Sequence, residues 1–223
     1  MKYLHCIPVF FVFLFTIPLG LEAQPGKPFY QDIQRFKKQD SLNPPPLHAI
    51  LFAGSSSFTK WTDVQAYFPG YTIINRGFGG SSLPDLIRYA GDIIFPYQPK
   101  QVVIYCGDND FVTEAGVTAE MVIQRVKDLF VLIRRHLPAV NIAYVSIKPS
   151  PSRVGLMEPQ AIANSAIARF LATQQNAEFI DVYHLMLAGN GRPKPAIFLS
   201  DSLHMNEKGY AIWKKAIEPV LLK

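Results

Sequence analysis

The chain is predicted to fold as an α/β protein, a three-layer α/β/α sandwich around a five-stranded parallel sheet. Three observations carry this. Five short runs rich in Val, Ile, Tyr and Phe, at 48–53, 71–75, 101–106, 141–147 and 178–182, are apolar almost throughout. Strands buried on both faces read this way, whereas half-exposed strands alternate. Each run is separated from the next by a helix-like stretch, the pattern of parallel strands joined by crossover helices. There is also no internal repeat, low-complexity tract or composition shift that marks a second domain.

Met1-Lys2 precedes an apolar run from Ile7 to Leu19 and the small-residue exit Gly20-Leu21-Glu22-Ala23, which predicts a secretory signal peptide (residues 1–23) cut after Ala23. Cys6 stands ahead of the apolar run, not at its end where a lipid-anchor cysteine would be. The run is short for a membrane span and no later segment offers about 18 uninterrupted apolar residues, so no integral span is expected after cleavage. The expected location is exported, periplasmic or extracellular. Removal of 23 residues from 223 leaves 200, with the net charge still +5 because Lys2 and Glu22 leave together.

Residues 24–47 read as an entry segment. Phe29, Ile33 and Phe36 recur at helical spacing, and Pro44-Pro45-Pro46 then forces an extended connection into the main domain at 48–223. The clearest helix starts near Thr118 and places Val122, Val126, Leu129, Ile133 and Leu137 on one face before Pro138 stops it. Further helices are expected near 84–95, 159–174 and 206–222.

Composition narrows the function classes. Cys106 is the only thiol of the mature chain, so no internal disulfide staples it, and 49% apolar residues must supply the core. Cys106 closes an apolar run and reads as a small buried residue. Basic residues are dispersed, and the pairs Lys37-Lys38, Arg134-Arg135 and Lys214-Lys215 fit solvated helix faces, so no nucleic-acid partner is expected. The histidines lack the His-Glu-x-x-His spacing of zinc proteases and stand away from cysteines, so no metal and no cofactor is expected.

Ligands of open α/β sheets sit at the carboxyl ends of the strands, and four motifs fall there. After the first strand comes Gly54-Ser55-Ser56-Ser57, then a helical stretch reaching Trp61. A serine on a strand-to-helix turn exposes its hydroxyl beside free backbone N–H groups, although Ser-Gly clusters are also ordinary turn chemistry. The second strand ends in Asn75-Arg76-Gly77-Phe78-Gly79-Gly80-Ser81-Ser82, whose glycines let backbone approach a ligand. Neither the dinucleotide spacing nor the ending of a P-loop is present. The third ends in Gly107-Asp108-Asn109-Asp110, where the Asn109 amide can donate to an oxyanion. Near the C-terminus, Asp201-Ser202-Leu203-His204 leads into a helix opened by Asn206, and an aspartate three residues before a histidine can orient its ring. Asp181-Val182-Tyr183-His184 repeats that spacing. There Asp181 caps a strand end and His184 reads as a packing residue, so the loop position of His204 suits a catalytic base better.

These four blocks, in this order, resemble those of the SGNH hydrolases, also called GDSL esterases and lipases, over essentially the whole chain from residue 48 onward. The resemblance implies a flavodoxin-like sheet of order 2-1-3-4-5. It further implies a serine nucleophile at Ser56, an oxyanion hole of Ser56, Gly80 and Asn109, and a base at His204 oriented by Asp201. One departure is that the usual Gly-Asp-Ser-Leu is here Gly-Ser-Ser-Ser, with Ser55 in place of the aspartate, which leaves three adjacent serines as alternatives.

The implied chemistry is hydrolysis of a carboxylic ester through an acyl-enzyme. No long insertion able to form a lid interrupts the blocks, and the connections around Gly80, Asn109 and Pro149 to Arg153 are short or polar, which favours short acyl groups. Arg76, Phe78, Asp110 and Phe111 flank the motifs as candidate substrate contacts, mixing hydrogen bonding with stacking in a way that suits a sugar ring. A solvated charge, core packing and loop polarity are their competing roles. Acetylated carbohydrates are therefore the expected small-molecule or oligosaccharide substrate. Lysophospholipid hydrolysis, acyl transfer to an alcohol and a non-catalytic carbohydrate-binding relic are the alternatives.

Overall fold

The computed structural model describes residues 26–223, so the expected signal peptide lies outside the described residues. The order is α1 (Tyr30–Leu42), β1 (Ile50–Gly54), α2 (Ser56–Thr59), α3 (Val64–Tyr67), β2 (Ile73–Gly77), α4 (Leu83–Ile93), β3 (Gln101–Tyr105), α5 (Asp110–Thr113), α6 (Ala119–His136), β4 (Asn141–Val145), α7 (Met157–Leu171), β5 (Ala177–Ile180) and α8 (Glu207–Ile217). The five strands form one sheet, parallel throughout, in the order β2-β1-β3-β4-β5.

Two cores flank the sheet, divided by the period-2 alternation of the strands. Leu51, Ala53, Val102, Ile104, Ile142 and Tyr144 face α1, α4, α6 and α7. Ile50, Phe52, Val103, Tyr105, Ala143 and Val145 face α2, α3 and α8. The second layer is strongly aromatic. Trp61 stacks on Tyr210 with ring centroids 4.7 Å apart and meets Phe52, Phe68 and Trp213 edge-on or tilted. This wedge fixes the short helix that comes after β1.

Helix boundaries have local causes. Thr118 accepts a hydrogen bond from Met121 N to open α6, and Pro138 comes just after its end. Ser82 and Asp85 form a reciprocal capping box at the start of α4. Asn206 caps α8 by accepting from Lys208 N and Gly209 N. That helix stops at Ile217, five residues short of the expected end, because Pro219 converts the continuation into a single 3-10 turn, Glu218–Val220.

The basic pairs lie mostly on exposed helix faces, as expected, but two of their members also make specific ties. Lys37 pairs with the nearly buried Asp92 at 2.6 Å. Arg134 donates to the carbonyls of Pro138, Val140 and Gln175, tying the end of α6 to the strands beyond it.

Strand register brings the motif-bearing loops together. Gly54 stands level with Gly77 on one side and Tyr105 on the other, so β1, β2 and β3 release their chains side by side. The chain winds from β1 outward to β2 and then crosses to β3, which makes the β1/β3 boundary the switch point where ligand crevices form. Gly54 is what permits the sharp exit. A Cβ there would lie 2.0 Å from the Tyr105 carbonyl oxygen, and that same oxygen accepts from Ser55 N at 3.0 Å.

Candidate active site

Ser56 is the first residue of α2, immediately beyond Ser55, which is extended and makes no side-chain capping bond. The hydroxyl of Ser56 lies 3.0 Å from Nε2 of His204, a residue 148 positions further along the chain. The other ring nitrogen of His204, Nδ1, lies 2.6 Å from Asp201 Oδ2. With the carboxylate facing Nδ1, that nitrogen carries the proton and Nε2 presents its lone pair to Ser56.

The Asp201–His204 turn is built to hold this geometry. Ser202 adopts a positive φ of 56°, and the Asp201 carboxylate accepts from Leu203 N at 3.0 Å and from His204 N at 2.9 Å. The bond to the His204 ring, with the two backbone N–H groups next in importance, holds the Asp201 carboxyl well below the usual carboxylate range.

Gly80 and Asn109 lie on the loops that leave β2 and β3, the two strands flanking β1. Gly80 has φ 88°, a conformation that strains any residue with a Cβ, and it is exposed. The loop carrying it is anchored at both ends, by Phe78 N donating to Gly54 O and by Leu83 N donating to Asp110 Oδ2. Asn109 is buried, with Nδ2 donating to Ser81 O at 3.0 Å and Oδ1 accepting from Arg153 Nη2 at 3.0 Å. One Nδ2 hydrogen is thereby left over. A hydroxyl, an imidazole aligned on it and donors on adjacent loops can together carry out acyl transfer.

The expected substrate contacts require correction, because three of the four side chains are committed elsewhere. Arg76 pairs with Asp40 of α1, donates to the Tyr97 hydroxyl at 2.6 Å and lies over the Phe36 ring. Phe78 is fully buried, edge-on to Phe29 and Tyr89. Asp110 is fully buried against Arg125 and the start of α4, and burial is the larger influence in raising its pKa above the usual carboxylate value. Phe111 is half-buried against the core. Asp181 and His184 form the same 2.6 Å pair as Asp201 and His204, but His184 is 76% exposed, so it is not a packing residue. Cys106 is buried beneath Ser81, and burial pushes its thiol pKa up.

Two contacts near the site are not marked in the sequence. Phe29, at the head of α1, approaches Gly80 closely enough that a Cβ there would lie 3.8 Å from its ring. Arg153 reaches Asn109 from the β4–α7 connection. No spacing rule marks either contact, since both join distant segments. A cavity of about 640 Å³ at the opposite end of the sheet, around His48, Phe95 and His136, contains none of these residues. Among the described residues no cluster of three or more His, Cys, Asp or Glu side chains could hold a metal ion.

A family model for the GDSL-like lipase/acylhydrolase family matches residues 46–212. The chain belongs to that family. This GDSL-like acylhydrolase is thus a carboxylic ester hydrolase. A search of curated proteins found no match. Among solved structures, a GDSL-like lipase from Bacteroides thetaiotaomicron superposes with TM-score 0.69 at 21% identity, covering 84% of this chain and 95% of that one. A provisionally named platelet activating factor from Streptococcus pneumonia gives TM-score 0.75 at 19% identity, covering 86% and 92%. A catalytic mutant of an acetylxylan esterase from Geobacillus stearothermophilus gives TM-score 0.62 at 16% identity, covering 80% and 96%. At these identities the likeness speaks for the fold.

Proposed function

We propose that this acylhydrolase is an exported esterase that removes acetyl or other short acyl groups from carbohydrates, with Ser56 as nucleophile, His204 as general base and Asp201 orienting the base. The observation that carries the catalytic part is the continuous line from Asp201 Oδ2 through the His204 ring to Ser56 Oγ, at 2.6 and 3.0 Å. His204 Nε2 takes the hydroxyl proton as Oγ attacks the ester carbonyl. The oxyanion is held by Ser56 N–H, Gly80 N–H and the remaining Nδ2 hydrogen of Asn109. The imidazolium then protonates the departing alcohol, and a water activated by the same nitrogen hydrolyses the acyl-enzyme.

The short-acyl reading is supported by the brevity of the connections around the serine. Helix α4 begins three residues after Gly80 and α5 begins directly after Asn109, so neither connection contributes a lid over an extended chain. The acetylxylan esterase among the structural neighbours acts, by its description, on an acetylated polysaccharide, and export would bring the enzyme to such polymers. Export rests on the N-terminal apolar run and its Ala23 exit. No helix among the described residues is long and apolar enough to cross a membrane.

The test compares acetylated oligosaccharides, short synthetic esters and lysophosphatidylcholine under one condition, with fluorophosphonate labelling of Ser56 as the control. The expected result is the highest kcat/KM on acetyl esters. A preference for acyl chains of about ten carbons or longer overturns the sugar-ester reading. Failure of Ser56 to label overturns the mechanism.

A further inference from the structure

Behind the oxyanion-hole residues lies a buried ionic cluster that the acyl-transfer chemistry does not itself use. Arg153 sits within the 3-10 segment Pro151–Leu156, at a point where its own backbone (φ −121°, ψ 29°) breaks the helical run. This directs the side chain inward, leaving it 13% exposed. Its Nη2 donates to Asn109 Oδ1, while Nη1 lies 2.8 Å from Asp108 Oδ1 in an ion pair off the hydrogen-bond axis. Asp108 also takes Gln160 Nε2 at 3.1 Å and the fully buried Lys148 Nζ at 3.4 Å. One residue earlier, Ser152 N donates to Ser202 O at 3.0 Å, fastening the same segment to the turn that carries His204.

This arrangement determines how Asn109 stands. An amide can rotate by 180° and exchange its donor and acceptor ends. Here Oδ1 is claimed by a cation and one Nδ2 hydrogen by the Ser81 carbonyl, so only one orientation satisfies both. A hydrogen bond from a guanidinium is also stronger than a neutral one, and it draws electron density toward Oδ1, making the opposite N–H a better donor.

We propose that Arg153 is a positioning residue for the oxyanion hole: anchored on Asp108, it holds and polarises the Asn109 amide so that the free Nδ2 hydrogen meets the developing oxyanion. This role rests on the acyl-transfer chemistry proposed for Ser56. It gives the buried pair Asp108–Lys148 a task as well, which is to brace the guanidinium in place.

The test is a double-mutant cycle on a short synthetic ester. Arg153→Met and Arg153→Lys are each made in the wild-type and Asn109→Ala backgrounds, with kcat, KM and Tm recorded. Arg153→Met should lower kcat by about 10- to 100-fold with KM changed less than about threefold, because the affected bond matters mainly in the transition state. Arg153→Lys should retain Tm but recover little kcat, since a point charge cannot hold Asp108 and Asn109 together. In the Asn109→Ala background, Arg153→Met should cost less than about threefold, since its effect travels through the missing amide. A wild-type kcat in Arg153→Met, a loss confined to KM, or the same fold-loss in both backgrounds overturns the proposal. If Arg153→Met does not fold, Arg153→Lys carries the same cycle. Failure of the underlying acyl-transfer mechanism is distinguishable, because Ser56→Ala would then keep its activity whatever Arg153 does.

Discussion

Replacing His204 by alanine, beside the same change at His184, separates two aspartate–histidine pairs that are identical in spacing and in their 2.6 Å hydrogen bond. They differ in what the second ring nitrogen meets. Nε2 of His204 is 3.0 Å from Ser56 Oγ, and its side chain is 15% exposed. The His184 side chain, just beyond β5, is 76% exposed. Without His204 the serine must attack with its proton unassisted, and loss of a triad base costs about 10⁴- to 10⁶-fold in kcat. At about 1.36 kcal/mol per factor of ten, this is roughly 5.5 to 8 kcal/mol of transition-state stabilisation. Removing His184 breaks only a surface pair worth about 0–1 kcal/mol, which in a domain of this size moves Tm by less than about 4 °C and leaves kcat alone. The assay is initial-rate hydrolysis of p-nitrophenyl acetate with the active fraction titrated, together with thermal melts of all three proteins. An inactive His184→Ala, or a His204→Ala that keeps more than about 1% of wild-type kcat, would refute the reasoning.

Two further outcomes are expected. Ser56→Ala should lose several powers of ten in kcat, whereas Ser55→Ala and Ser57→Ala should keep most of it, since among the three only Ser56 Oγ faces His204; esterase rates of the three variants decide this. Because its bonds in the folded state depress the Asp201 pKa, the stabilisation it provides is present in full above its unfolded value of about 4 and is lost as pH falls through the lower folded value. Chemical denaturation should therefore find Asp201→Asn less stable than wild type at pH 7, with the gap narrowing below about pH 4. A gap that stays constant or widens in acid would contradict this assignment of the carboxylate's partners.

Much of the fold could be read directly because its determinants are local. Strands buried on both faces advertise themselves as unbroken apolar runs, and Thr118, Asn206 and Pro138 mark helix ends through groups only a few residues away. The misjudged pieces depend on partners distant in sequence. Arg134 reads as a surface charge, yet the carbonyls it satisfies include one 41 residues away. Arg76 reads as a ligand contact because it flanks a glycine loop. It belongs instead to α1, through Asp40, 36 residues earlier, and the positions of both depend on how the entry helix docks.

The site divides along the same line. Motif spacing selects residues able to do chemistry, and sheet register brings three of the four motifs to one edge. Spacing cannot say which of two Asp-x-x-His turns will face the serine, because each turn closes its own dyad with its own backbone. The choice is tertiary. The turn at Asp201 is pinned across the site by Ser152 N on Ser202 O, and the bridge between Phe198 and Met205 returns the chain beside α2. The dyad at Asp181 ends β5 at the sheet edge, four strands away from β2 and its glycine loop. The same reasoning explains why Phe78 and Asp110, adjacent in sequence to Gly79 and Asn109, are buried and partnered within the protein. Phe78, directly after β2, turns its ring into the core against Tyr89, while Asp110, the first residue of α5, is held inward by Arg125 and by Leu83 N at the start of α4. Motif neighbours in such a sheet are thus better candidates for bracing the site than for touching its ligand. Contacts should instead be sought on segments that approach from elsewhere, as Phe29 and Arg153 do.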